Sequence, residues 1–243
     1  TGDFAVSTPD TQGFGGLPLS LTDQLNELPE VEVAVGIGVN LVQLLEDGQP
    51  VGKTVLTVDP ERAATLFDLP FTEGGWPGLD ADGILMSKDK ADRDGVAVGD
   101  QVSVILQNGE TRQLTLGGIF DSEDFGNLIV SRDLFAGQTT DQYDVQVLVQ
   151  SAEGVSTADA QAAIDRVAEQ YPTAKVQTRE GFIDDQAKQV DGFLNFIYAL
   201  LGMSVFIAVL GIVITLLLAV YERRRELGLV RAVGMTRPQV RSS

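Results

Sequence analysis

The chain has 243 residues, 44% of them apolar and 21% charged, enough for one large domain or two small ones and too apolar for wholesale disorder. It contains neither cysteine nor histidine, which removes disulfides, thiolate nucleophiles, Cys/His zinc sites and imidazole-dependent triads. Its 17 basic and 35 acidic residues give a net charge of −18, which speaks against nucleic acid as a partner, because such proteins cluster Lys and Arg against phosphates.

The chain opens Thr1-Gly2 without an initiator Met, which reads as processing or as an excised piece. Residues 1–17 are rich in Gly, Thr and Pro and are expected to be irregular. The glycines at 13, 15 and 16 are not followed by Lys-Ser/Thr, so they form no phosphate loop. Ser20 or Thr22 is placed to cap a short helix bearing Leu21, Leu25 and Leu28. Val31, Val33, Val35, Ile37, Val39 and Leu41 then alternate with period two, a strand signal, and 54–58 reads as a second strand. Asp59-Pro60 joins a capping side chain to a first-turn proline ahead of Ala63, Leu66 and Phe67.

Residues 84–86 read as a short strand, after which Ser87 caps a turn or helix closing at Gly95. Asp89-Lys-Ala-Asp92-Arg-Asp94-Gly95 resembles part of a calcium loop. Aligning its glycine, however, puts Lys90 and Gln101 where the first and twelfth ligands belong, so no metal is assigned. Over 101–120, Val102, Val104 and Leu106 alternate, Asn108-Gly109 suits a type I′ turn, and Leu114, Leu116 and Ile119 return, predicting a hairpin. Asp121, Glu123 and Asp124 are too close in sequence to face one another across a substrate, and read as a solvated loop. Strands at 128–130, 143–149 and 175–178 and an amphipathic helix at 157–171 complete an α+β extracytoplasmic domain with mixed β-sheets.

Phe182, Ile183, Gln186, Val190 and Phe193 recur at three- and four-residue steps and run directly into Gly192–Tyr221, a stretch without a charged residue. Crossing the roughly 30 Å of hydrocarbon takes about 20 apolar residues. The predicted arrangement is therefore a stalk helix continuous with one transmembrane helix, with Gly192 as the one candidate hinge. Ser204, Ala208, Gly211, Thr215 and Ala219 line one face of the span with small side chains, a pattern suited to helix packing in lipid and also common in any membrane helix.

Charge is divided across this segment. Up to Asp191 there are 11 basic and 33 acidic residues, 11 − 33 = −22; from Glu222 there are 6 and 2, 6 − 2 = +4. The positive-inside rule puts residues 222–243 in the cytoplasm and 1–191 outside the cell membrane. The division read from the sequence is an outer domain at 1–180, a stalk at 181–192, a membrane helix at 193–221 and a cytoplasmic segment at 222–243. Read plainly, that last segment is a basic anchor meeting anionic lipid. Yet Glu222 and Glu226 interrupt the arginines, and Thr236-x-x-Gln239 forms a capping box announcing another helix.

The run E-R-R-R-E-L-G-L-V-R-A-V-G from Glu222, directly after a membrane helix, resembles the FtsX/MacB-like permease family of ABC transporters. Val31 to Val39, the Val-Asp59-Pro60 step, and Gly95-Val-Ala-Val-Gly99-Asp100 before a hairpin ending Gly117-Gly118-Ile119-Phe120 occur in the order of that family's outer core domain. The resemblance implies a non-enzymatic permease subunit partnered by an ABC ATPase and by a second permease subunit or a second half of its own parent chain. It places Glu222, Arg223, Arg224, Arg225, Glu226, Gly228, Arg231 and Gly234 against the ATPase, makes 182–193 the stalk, and implies no cofactor in this chain. The family has at least four membrane helices and this sequence shows one, so the chain reads as a fragment. The competing reading is a single-pass surface receptor or adhesion protein with a basic anchoring tail.

Overall fold

The computed structural model describes residues 2–8, 16–46, 48–122, 125–137 and 142–232, with the side chains of 182–192, 227 and 230–232 outside that description. In chain order the elements are β1 (Phe4–Ser7), β2 (Leu17–Pro18), α1 (Leu19–Asn26), β3 (Val31–Glu46), β4 (Gln49–Val58), α2 (Pro60–Leu66), β5 (Phe71–Gly74), β6 (Gly83–Ser87), α3 (Lys88–Asp94), β7 (Gln101–Ile105), β8 (Thr111–Phe120), β9 (Leu128–Ser131), β10 (Tyr143–Ser151), α4 (Thr157–Ala168), β11 (Lys175–Thr178) and α5 (Arg179–Ala232). Short 3₁₀ turns lie at Trp76–Gly78 and Arg132–Phe135. The chain divides into two units, Thr1–Ile183 and Asp184–Ser243.

In the first unit, strand pairing closes on itself in the order β3-β4-β9-β6-β8-β7 and back to β3. Closure removes sheet edges and gives each strand an inside and an outside. The inside is apolar: Val42 and Leu44 of β3, Val55 of β4, Leu128 and Val130 of β9, Ile84 and Met86 of β6, Leu114 and Leu116 of β8, and Val104 of β7 form one buried cluster. The residues between them point outward, so Leu85 and Ile129 join a different cluster, under α2. Two ring contacts, β4 with β9 and β6 with β8, are parallel and the others antiparallel, so the sheet is mixed.

The long strand β3 belongs to two structures at once. Its first half pairs with β10, which pairs with β1, and β1 with β11, forming a flanking sheet. Its second half is a wall of the barrel, and the exchange happens at Gly38, which faces Asp144 of β10 on one side and Thr57 of β4 on the other. One face of the flank is covered by α1 and α4 through Leu21, Leu25, Ala160 and Ile164. The other meets α2 through Val33, Val35, Ala63 and Leu66.

Local signals explain several elements. Asp59 accepts from the backbone N–H groups of Glu61 and Arg62 and starts α2, with Pro60 in its first turn. Ser156 caps α4 by accepting from Asp159 N–H at 3.1 Å. Gly95, at φ 67°, ends α3 in the left-handed conformation that glycine adopts without steric cost.

Other expectations are corrected. Within 1–17, expected to be irregular, Phe4–Ser7 is a strand held on both sides by β10 and β11, because tertiary pairing outweighs a weak local signal. Helix α1 has no side-chain cap. Pro18 takes the capping position, and Thr22 is buried and donates to Asp144 Oδ2 at 2.7 Å instead. Ser87 precedes α3 without capping it, because its hydroxyl is engaged with Asn127 Oδ1 at 2.9 Å. The hairpin at 101–120 is present, but its turn is shifted by one residue. Gly109 N–H bonds Leu106 C=O, so Gln107 and Asn108 are central, Gly109 follows at φ 84°, and Asn108 Oδ1 accepts from Glu110 N–H. Strands β3 and β4 both run further than their periodicity indicated, to Glu46 and from Gln49. Of the acidic loop, Glu123 and Asp124 lie outside the described residues, as do the glycines at 13 and 15.

Candidate functional site

Helix α5 is assigned without a break from Arg179 to Ala232, directly after β11, and so includes Gly192. Its backbone places Phe182, Ile183, Gln186 and Val190 on helix, with their side chains outside the description, and Phe193 is 65% exposed. The most apolar stretch of Phe193–Glu226 has a mean hydropathy of 2.9 and none of it is buried in protein, and this is one helix among the described residues long and apolar enough to cross a membrane. An apolar surface of this extent exposed to water would be strongly unfavourable, whereas lipid accommodates it.

Tyrosines lie toward both ends of the apolar stretch. Tyr198 and Tyr221 are both exposed, and 23 residue steps at 1.5 Å separate them by about 35 Å. Ser204, Ala208, Gly211, Thr215 and Ala219 are all exposed on this helix, at steps of four, three, four and four. The Thr215 hydroxyl donates to the Gly211 carbonyl at 2.8 Å, so it needs no external partner in an apolar medium. Glu222, Arg223, Arg224, Arg225, Glu226 and Gly228 are exposed on the same helix, and the Arg231 backbone lies within it. Gly234 and the capping box at 236–239 lie outside the described residues.

The first unit contains two charged networks that sequence spacing does not reveal. Asp144, fully buried on β10, receives hydrogen bonds from Thr22 at 2.7 Å and from Arg132 Nη2 at 2.5 Å. Arg132 also donates to the Gly36 carbonyl at 2.9 Å. Burial pushes the Asp144 carboxyl upward despite the opposing pull of Arg132 and Thr22. In the second network Lys90, 2% exposed, donates to Glu46 at 2.5 Å and to Asp94, while Lys53 reaches the same Glu46 oxygen at 2.8 Å. The hydrogen bond from Lys53, then that from Lys90, lowers the Glu46 carboxyl to about 2. Burial opposes the charge on Lys90, but Asp94 and Glu46 outweigh it and raise its pKa. Lys90 therefore occupies the calcium-like sequence as a buried cation.

An open cleft of about 640 Å³ lies between the start of α2, the 76–81 turn and Arg132, with Trp76 on its wall. Among the described residues no cluster of three or more His, Cys, Asp or Glu side chains is arranged to hold a metal ion. None of these features assembles a nucleophile with a base, so the organisation of α5 is the more informative guide to function.

The MacB-like periplasmic core domain family matches residues 2–167. The chain belongs to this family. The FtsX-like permease C-terminal family matches residues 198–243, from within the apolar part of α5 onward. The structure is similar to the periplasmic region of MacB from Actinobacillus actinomycetemcomitans, with a TM-score of 0.57 and 10% identity over 78% of this chain and 92% of that one. It is also similar to the extracellular domain of the noncanonic ABC-type transporter YknZ from Gram-positive bacteria, with a TM-score of 0.52 and 14% identity over 72% of this chain and 98% of the other. At such identities the likeness concerns the fold. No curated protein sequence matches the chain. The MacB-like core domain is thus the mixed α+β unit described above, and in this chain it is followed by an FtsX-like permease segment on a candidate membrane helix.

Proposed function

We propose that the chain acts within the permease subunit of an ABC transporter, coupling ATP hydrolysis by a partner ATPase to motion of the MacB-like domain outside the membrane. The observation that supports this most is the single helical assignment from Arg179, next to the last strand of the core domain, through the apolar span to the arginine-rich segment. A helix bends at identifiable weak points such as proline or a bulge, and α5 contains no proline. A tilt or rotation imposed at Arg223–Arg225 would then be felt at β11. In this reading residues 1–191 are outside and 222–243 cytoplasmic, with Glu222–Gly234 facing the ATPase. The small-residue face from Ser204 to Ala219 packs against a second permease subunit or a second half of the parent chain. The motion serves export, extraction of an envelope component, or regulation of an envelope process.

The test is co-purification of a candidate ABC ATPase with the membrane-embedded chain in its parent protein, together with the ATPase rate. Reversing Arg223, Arg224 and Arg225 to Glu and Glu226 to Lys should abolish both association and stimulation. Unchanged association and unchanged stimulation would overturn the assignment and favour an anchoring tail.

A further inference from the structure

Residues 1–191 carry 11 basic against 33 acidic side chains, so a cleft there lined by cations alone runs against the average. One such cleft, of about 340 Å³, lies on the barrel beside β4, and among the described residues its charged lining consists of Lys53, Lys90 and Arg93. It exists because β4 pairs with β9 only from Leu56 onward, leaving the Gly52–Val55 stretch with β3 on one side and no strand of the ring on the other.

The chemistry of this cleft is that of a donor set. Asn127 lines it, and because its Oδ1 accepts from the Ser87 hydroxyl at 2.9 Å, its amide N–H groups are left to donate elsewhere. The Thr54 hydroxyl is on the same wall. Lys90 is held in place by Glu46 and Asp94, Lys53 also pairs with Glu46, and the two acids line the neighbouring cleft, whose wall Arg93 shares. Arg93 is exposed and makes no ion pair among the described residues. Lys53 and Lys90 both donate to Glu46, and these hydrogen bonds lower the pKa of its carboxyl to about 2.

We propose that this cleft binds one oxyanion group, a phosphate or carboxylate, with Arg93, Lys53 and the Asn127 amide as its donors. The volume suits a single headgroup-sized anion. Charge-assisted hydrogen bonds from a guanidinium and an ammonium supply the affinity. The anion arrives either as a lipid headgroup or as a soluble ion.

Inorganic phosphate, titrated at constant ionic strength into the full chain in zwitterionic micelles, tests this through the side-chain resonances of Arg93 and Asn127. Both should shift along one saturating curve. Arg93→Gln should weaken binding by about tenfold, the loss of one charge-assisted contact, and Arg93→Lys should restore part of it. A linear drift matched by chloride, or saturation undiminished in Arg93→Gln and in Lys53→Gln, would overturn the proposal. Repeating the titration in phosphatidylcholine nanodiscs with and without phosphatidylglycerol separates the sources. Weaker phosphate binding in the anionic discs supports a headgroup as the occupant, and equal binding in both supports a soluble anion.

Discussion

Arg132 places Nη2 2.5 Å from Oδ1 of Asp144, joining the turn after barrel strand β9 to a buried carboxylate on flank strand β10. Thr22 completes the network from α1, and the Gly36 carbonyl of β3 takes the other hydrogen bond from Arg132. Barrel and flank share β3 and meet at this ion pair, so their relative placement depends on it.

Arg132→Met should therefore destabilise the core domain by about 3–5 kcal/mol at neutral pH, because it strands a buried carboxylate without its counter-charge. The Asp144 carboxyl is already raised, by burial, in the folded protein. A raised acid binds its proton more readily folded than unfolded. Its stabilising contribution is greatest below the unfolded pKa and is lost as pH rises through the folded one. Removing Arg132 raises that pKa further, so the deficit should shrink as the solution is acidified. Denaturant unfolding followed by Trp76 fluorescence at several pH values measures this, and a pH-independent deficit would contradict it.

Glu46 has the opposite sign. Its folded pKa of about 2 lies below the ordinary 4.5, so its contribution is intact above about 4.5 and lost as pH falls toward about 2. In Glu46→Gln that part of the acid-side loss should disappear. Thermal melts of both proteins from pH 5 down to pH 2, within the range where the fold survives, should show a shallower acid limb for the variant.

Two glycines on the same ribbon make a matched pair. A Cβ at Gly36 would run into the Asp144 carboxylate, whereas one at Gly52 meets nothing within 4 Å. Gly36→Ala should cost about 1–3 kcal/mol by overpacking and should disturb the Arg132 network. Gly52→Ala should stay within about 0.5 kcal/mol of the parent. Equal effects in chemical denaturation would mean that Asp144 can move aside freely.

Much of this architecture was legible in the sequence, for reasons particular residues make clear. The Asp59-Pro60 cap, the alternation from Val31, the 101–120 hairpin and the amphipathic helix expected at 157–171 are all local signals, and each appears in the structure, the helix ending at Ala168. Closure of the barrel was not legible, because it rests on contacts such as Leu44 with Val104, distant in sequence and carrying no local mark. Phe4–Ser7 carries no strand signal of its own, because four residues among glycines and threonines become a strand only when β10 and β11 supply partners. Lys90 and Glu46 lie 44 residues apart, so the sequence shows a charge-rich turn where the fold builds a buried ion cluster. The apolar span and the arginines after it were plain because membrane insertion depends on composition and flanking charge.

The absence of cysteine in the chain allows a clean test of sidedness. A membrane-impermeant maleimide should label Glu153→Cys in intact cells and Ser242→Cys only after lysis. The reverse pattern would place the arginines outside and remove the ATPase from the account.

The relay itself is tested most directly by nitroxide scanning from Gly181 to Ala199 in the full chain, reconstituted in nanodiscs. Continuous helix predicts that spin-label mobility and accessibility oscillate with a period of 3.6 residues through Gly192, with ordered spectra throughout. Loss of that period over 184–192, with the narrow lines of mobile coil, would contradict the transmission of motion along α5.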